Sequence, residues 1–470
     1  MIFSSTLFLF YFLPITILGH LMLPLEMKNH WLLLVSFIFF GWSQPKYLWI
    51  VLASIFVNYM AGLMLSYQKG KRYSTFWMIL AIICDLALLF YFKYFNFFIE
   101  TYGQIVGRDI LFKEIVLPIG ISFFTFQGLS YVVDIYRGDI KAQRNILNFA
   151  LYIVLFPQLI AGPIVRYKDI EKEINHRSIS VDDLSFGMER FIIGLAKKAI
   201  IANTMAMVAD AIWSDYGSSS CIVVWIGSIA YSLQIYFDFW GYSDMAIGLG
   251  RILGFHFPKN FDHPYVSKDI SEFWRRWHIS LSSWFRDYVY IPLGGNRKKV
   301  YLNLAIVFIL TGIWHGAAWN FILWGALNGF FCIVERLIRQ YKKKKGYKCR
   351  FSLFFSHIYT LLAINFGWVL FRAPSITDAI KYIKIMLGIH KVVTPGFTVF
   401  WYLDRWTISI MLTAILLSSR IPNYIIEQMY NKISEELWFF LKYSILLILL
   451  FLSMMRIVSG TYNPFIYFQF

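Results

Sequence analysis

The sequence predicts an all-α, polytopic integral membrane protein, and its composition carries that expectation in three ways. Of 470 residues, 58% are hydrophobic, 20% are aromatic and only 15% are charged. A soluble domain carries about 25% charged residues, so a globe built from this chain would lack the polar side chains to cover its surface. An ordinary soluble enzyme is thereby excluded. Disorder is excluded too, because 46 Phe, 30 Tyr and 17 Trp bury more apolar area than chain entropy demands.

Crossing about 30 Å of hydrocarbon takes about 20 apolar residues. Apolar stretches fall at 3–25, 31–42, 48–67, 76–98, 115–133, 147–165, 186–213, 222–240, 301–313, 319–337, 351–371, 408–418 and 437–454, or about eleven to thirteen candidate segments. Several are short or polar for a span. The first has neither a basic lead nor a small-residue cleavage site and contains Pro14, so it reads as a retained membrane helix. With no long linker and no fixed-period repeat, 1–470 is expected to form a single helical domain. Its motif-bearing core runs from about 115 to 340, followed by C-terminal helices over 351–470.

Lys and Arg accumulate on the cytoplasmic side in short loops. The runs 342–350 (KKKKGYKCR) and 68–72 (QKGKR) therefore face the cytoplasm. Counting spans from them puts the N-terminus outside, Arg297, Lys298 and Lys299 inside, and His315 toward the outer half of the membrane. The formal charge of +17 is then explained by topology and anionic headgroups; membrane lipids are the expected partners, and nucleic acid is not. Cys84, Cys221, Cys332 and Cys349 have neither zinc-site spacing nor the density of a disulfide framework, and read as packing residues.

The stretch 259–297 is polar, aromatic and basic, too charged to cross exposed to lipid. Within it Phe273, Trp277, Leu281, Trp284 and Tyr288 recur at three- and four-residue steps, which predicts a helix. It either re-enters the protein interior or lies at the interface as an anchor. Polar points inside other apolar stretches are Asp85, Asp134, Asp238, Asp244 and Asn365. Asp238 draws notice because the span is expected to unwind around Gly241, where its carboxylate would line a substrate path or, more simply, cap a re-entrant turn.

His315 lies in LTGIWHGAAWNFILWGALNG, between two apolar segments. Ionisable groups at membrane depth are costly and mark functional positions by default. Gly312, Gly316, Ala317 and Ala318 allow close helix approach, and Trp314, Trp319 and Trp324 would wall a cavity. A neutral imidazole there suits proton abstraction from a hydroxyl attacking an activated acyl group, although a histidine hydrogen-bonded between helices with no chemical part fits the same letters. No Gly-X-Ser-X-Gly elbow supplies a serine nucleophile. His278, in WRRWHISLSSWFRD, is the second candidate. Beside it Arg275, Arg276 and Arg286 would hold the phosphates of a nucleotide-bearing donor, or equally those of lipids. No P-loop and no metal-ligand spacing is present, so neither a metal nor a bound cofactor is expected.

Four stretches, FPQLIAGPIVRYKDI (156–170), DFWGYSDMAIGLGRILGF (238–255), EFWRRWHISLSSWFRDYVYIPLGGNR (272–297) and WHGAAWNFILWGALNG (314–329), together resemble the membrane-bound O-acyltransferase family. The likeness is to its bacterial branch, typified by the alginate O-acetyltransferase membrane subunit, and covers roughly the central half of the chain. It implies about eleven spans plus re-entrant segments around a central tunnel, in the inner membrane of a bacterial cell. The family's near-invariant histidine falls on His315 and its second recurrent polar position on His278. A thioester donor such as acetyl-CoA would arrive as co-substrate from the cytoplasmic side near Arg275, Arg276 and His278, and the acceptor would meet it at His315. Arg286, Asp287, Trp314, Asn320 and Trp324 are further candidates for substrate binding.

Similar proteins acetylate alginate, peptidoglycan or cellulose, often through a secreted or membrane-anchored acyltransferase partner; a related branch moves D-alanine toward teichoic acid. IPLGGNR resembles the polysaccharide-acetylating branch. The expectation is therefore acetyl transfer to an extracytoplasmic polysaccharide, finished by such a partner. A transporter or flippase would be expected to show two matching halves, and none is visible. A non-catalytic scaffold would keep product acetylation without His315.

Overall fold

The structure, a computed structural model, describes residues 1–67, 72–160, 162–345, 353–389, 396–460 and 462–466, and among these every regular element is a helix. The basic run 68–71, the 346–350 end of the second basic loop with Cys349, and His390 lie outside the described residues. Seven described helices are long and apolar enough to cross a membrane: Pro45–Tyr67, Tyr73–Val106, Val181–Ser214, Cys221–Ile252, Trp319–Lys345, Leu353–Arg372 and Glu435–Ser459. Arg405–Ser418 and Ile421–Tyr430, bent by 78° where they meet, make an eighth if counted as one span.

Several of the apolar stretches form helices shorter than these. Apolar stretches 115–133 and 147–165 become the helices Ile121–Arg137 and Ile146–Val154, most of whose residues are buried in protein. A nine-residue helix reaches about 14 Å, half of what a span needs. These segments are apolar because they fill the interior. The stretch 301–313 likewise forms a helix of only 16 residues, Val300–His315, and 3–25 ends at Pro24, from which a separate helix, Leu25–Ser43, sets out.

The chain divides into two compact units, Met1–Phe191 with Tyr242–Lys259, and Ile192–Gly241 with Asn260–Phe470. In the first, Phe3, Phe8, Phe39 and Phe156 form an aromatic core, and Phe3 stacks on Tyr242 with centroids 4.5 Å apart. Its buried carboxylates are satisfied from within: Asp85 accepts from Asn58 at 3.0 Å, Asp134 meets Lys168 at 3.4 Å and Asp244 meets Arg190 at 2.9 Å. In the second unit Asp238 pairs with Lys198 at 2.7 Å, and Asn365 accepts from Ser228 and donates to Ser232. Each of these five polar points thus has a protein partner, as hydrocarbon requires.

The expectation that the chain unwinds around Gly241 is corrected: Cys221–Ile252 is one continuous helix of 32 residues. Gly241 serves close approach instead. A Cβ there would stand 2.7 Å from the Gly194 carbonyl oxygen. Asp238 therefore caps no re-entrant turn; it belongs to a buried ion pair with 2% of each side chain exposed. A π-helical turn, Lys197–Ala202, inserts an extra residue and lets two consecutive lysines face inward. Lys197 Nζ lies 3.1 Å from the Trp240 ring centroid, and Lys198 reaches Asp238. The same pair holds the end of the described chain, for Lys198 donates to the Pro464 carbonyl and Asp238 accepts from the Ile466 amide at 3.0 Å.

Removing one partner of a buried pair strands the other charge. Asp238→Ala is expected to cost about 3–5 kcal/mol, whereas Asp238→Leu combined with Lys198→Met should cost much less. Melting temperatures of the purified variants in one detergent check this; equal losses would show that no stranded charge is involved.

Candidate active site

All the residues singled out for chemistry lie in the second unit. His315 ends the helix Val300–His315, whose return partner is Trp319–Lys345. Glycines set the spacing of this hairpin. A Cβ on Gly312 would stand 2.3 Å from the Phe321 carbonyl oxygen, and one on Gly325 would stand 2.3 Å from that of Phe308. Only glycine at both positions allows this contact. It places the imidazole among aromatic rings: His315 lies edge-on to Trp324, Phe371 and Trp314, with centroids 5.1, 5.2 and 4.9 Å away, and is 3% exposed.

The predicted helix through 271–290 is interrupted at the second histidine. It comprises Ile270–Arg276, Ile279–Phe285 and a π turn, Arg286–Tyr290. His278 sits in the break with φ 43°, a left-handed conformation that costs a non-glycine residue of order 1–3 kcal/mol and persists only when surroundings enforce it. Asn260 does so. Its side-chain oxygen lies 3.0 Å from His278 Nδ1 and accepts from the Ser280 hydroxyl at 2.9 Å, while its carbonyl accepts from the Ile279 amide at 2.9 Å. Glu335 fixes the start of the preceding helix by accepting from the Ile270 amide at 2.7 Å and the Ser271 hydroxyl at 2.9 Å. The buried His278 ring then packs against Phe239 at 4.6 Å and Trp314 at 6.0 Å. Trp314 is thus flanked by both imidazoles.

Two groups of cavities approach this cluster. One of about 190 Å³ is walled by His278, Arg275, Arg286 and Thr311. It shares Arg275, Tyr290 and Phe308 with a cavity of about 500 Å³ that adds Arg336, Arg339 and Lys343. At the other end of the hairpin helix, a cavity of about 520 Å³ is lined by Trp213, Gln234, Asn320, Phe371 and Arg372. Phe371 stands between this cavity and His315.

The residues named from sequence separate here by what they touch. Arg275 lines both basic cavities. Arg276 does not: Glu272 at 2.7 Å and Asp262 at 3.1 Å hold it, pinning its helix to the preceding turn. Arg286 reaches the smaller cavity while paired with Asp287 at 2.7 Å. Asn320 donates to the Ala373 carbonyl at 2.9 Å, joining the start of one helix to the end of Leu353–Arg372. Trp324 is a wall of the His315 cage. Arg336, Arg339 and Lys343 were missed, although their spacing along Trp319–Lys345 sets them on one helical face. Asn260 had no local signal; its partners lie 18 and 20 residues away.

The arrangement sets basic side chains around cavities at one end, two buried imidazoles at its centre, and a cavity of mixed polar and aromatic lining at the other. Comparison with known proteins gives this chemistry a context. The family model described as MBOAT, membrane-bound O-acyltransferase family, matches residues 37–377. A probable alginate O-acetylase of Azotobacter vinelandii is 41% identical over 83% of this chain and 78% of its own length. A peptidoglycan O-acetyltransferase of Helicobacter pylori is 37% identical over 83% and 81%. A teichoic acid D-alanyltransferase of Bacillus subtilis is 30% identical over 54% and 68%.

The glycine contact makes a direct test of the hairpin. Gly325→Ala should separate the two helices, destabilise the protein by about 1–3 kcal/mol as overpacked sites do, and displace His315. A melting curve unchanged from the parent would show that the contact yields easily.

Proposed function

The chain belongs to the membrane-bound O-acyltransferase family and is a multi-pass membrane O-acyltransferase, and we propose that it passes an acetyl group from a cytoplasmic thioester such as acetyl-CoA to hydroxyls of an extracytoplasmic polysaccharide. The observation that carries this reading is that His278 and His315 both lie beside Trp314, with His278 lining a basic cavity and Phe371, the neighbour of His315, lining a mixed polar and aromatic one. Acetyl is preferred to D-alanine because the acetylating relatives are more similar, at 41% and 37% identity against 30%. D-alanyl transfer toward teichoic acid is the alternative.

In this reading Arg275, with Arg336, Arg339 and Lys343 behind it, holds the donor's phosphates through charge-assisted hydrogen bonds, and Arg286, braced by Asp287, borders the path inward. The acyl group lies along the Trp314 wall. His315 takes the proton of the acceptor hydroxyl as its oxygen attacks the thioester carbonyl; the C–O bond forms, the C–S bond breaks, and the imidazolium returns the proton to the departing thiolate. His278, oriented by Asn260, keeps the donor carbonyl in place. Trp324 and Phe371 exclude water from the reacting atoms. The polysaccharide is acetylated directly or through a secreted or membrane-anchored acyltransferase partner, and the protein resides in the inner membrane of a bacterial cell.

His315→Ala should abolish acetyl transfer to polysaccharide while the amount of protein in the membrane stays level. Acetylated product at parental levels would remove His315 from the reaction and favour a scaffold. Arg275→Glu should raise the KM for donor with little change in kcat. Arg276→Glu should instead lower the melting temperature, since Arg276 is committed to Glu272 and Asp262. Steady-state transfer measured against donor concentration, together with thermal melts, distinguishes the two arginines.

A further inference from the structure

A further cavity, of about 350 Å³, lies away from the histidines between Cys221–Ile252, Leu353–Arg372 and the end of Arg405–Ser418. Its rim consists of Ile229, Leu361, Leu362 and Ile415, between 38% and 50% exposed. Ile229, Leu361 and Leu362 lie on helices long and apolar enough to cross a membrane, and Ile415 lies on the first half of the bent pair; exposed apolar side chains on such helices suit contact with hydrocarbon. The polar groups deeper in the cavity are engaged with one another. Asn365 is held by Ser228 and Ser232, the Tyr265 hydroxyl donates to the Ser232 carbonyl at 2.6 Å, and the hydroxyls of Ser418 and Ser419 donate to carbonyls of their own helix. A water needs two to four polar partners to settle in a cavity, and an engineered apolar cavity of about 150 Å³ stays dry and takes up benzene. This cavity is more than twice that size, opens to hydrocarbon, and has its polar groups paired.

We propose that it is a binding site for one acyl chain of a bilayer phospholipid, entered sideways from the membrane. The chain bends by 78° just past Ser418 and Ser419, which line the cavity. The occupied site would not be isolated from the reacting end of the protein. Tyr265, on its inner wall, accepts from Trp368 Nε1 at 3.2 Å; Trp368 stacks on Trp324 with centroids 6.1 Å apart, and Trp324 borders His315. A chain in the cavity supports this row of rings from behind.

The test uses the full chain reconstituted in bilayers of phosphatidylethanolamine and phosphatidylglycerol, doped with a phosphatidylethanolamine that carries a photoactivatable diazirine in its acyl chain. After illumination, the labelled positions are mapped by peptide mass spectrometry. The expected result is labelling at Leu361, Leu362 and Ile415 several-fold above that on the lipid-facing helix Glu435–Ser459, and its loss in Leu362→Trp, which fills the cavity. Ile229→Trp fills it from the opposite wall and serves if the first variant does not fold. Even labelling of all lipid-facing helices, or unchanged cavity labelling in a folded tryptophan variant, overturns the proposal. So does displacement of the label by unlabelled polyprenyl phosphate at a concentration where unlabelled phosphatidylethanolamine displaces none, for the occupant would then be an isoprenoid chain.

Discussion

A polar group surrounded by hydrocarbon has no water to fall back on, and the interior of this protein is arranged around that constraint. The pair Lys198 and Asp238 expresses it most fully. Two side chains, each 2% exposed, neutralise one another and use their remaining hydrogen-bonding capacity on the Pro464 carbonyl and the Ile466 amide. The end of the described chain is thereby tied to the middle of the Cys221–Ile252 helix. The same economy recurs at Asp134, Asp244 and Asn365, where polarity inside an apolar stretch joins one element to another. The two histidines stand apart from it because they are enclosed by rings rather than by ions.

Local strain is concentrated beside that enclosure. Among the described residues, three other than glycine have positive φ, His263, His278 and Lys299, and they bracket the segment that delivers His278 to Trp314. Asn260 and Glu335 hold the distortion from two separate elements. A side chain on a regular helix would follow the periodicity of its neighbours. The break frees His278 to point where the helical repeat would not send it, and the hydrogen bonds around it meet the conformational cost.

The membrane class was legible in the sequence because it depends on composition, and the two histidines draw notice there by polarity out of place; the structure sets both beside Trp314. Which apolar stretches form helices long enough to cross a membrane was not legible there. Hydropathy records only that a residue avoids water, and Phe149 or Leu151, with no exposed surface, avoids it inside protein as thoroughly as it would in lipid. Gly241 shows a second limit, since one letter serves both an unwound turn and a tight helix crossing, and the Gly194 backbone that decides between them is 47 positions away. The break at His278 was hidden for the opposite reason: the aromatic spacing continues across it. Arg336, Arg339 and Lys343 were within reach of helical periodicity, whereas Arg276 was read from its charge alone, which cannot reveal that Glu272 and Asp262 already occupy it.

The π turn at Lys197–Ala202 bears on how this helix tolerates change in length. Deleting a single residue there would restore ordinary helical hydrogen bonding, and by local measures would repair the helix. It would also rotate everything on one side of the deletion by about 100° relative to the other, swinging Lys198 away from Asp238. The irregular turn works as a spacer whose phase matters more than its regularity.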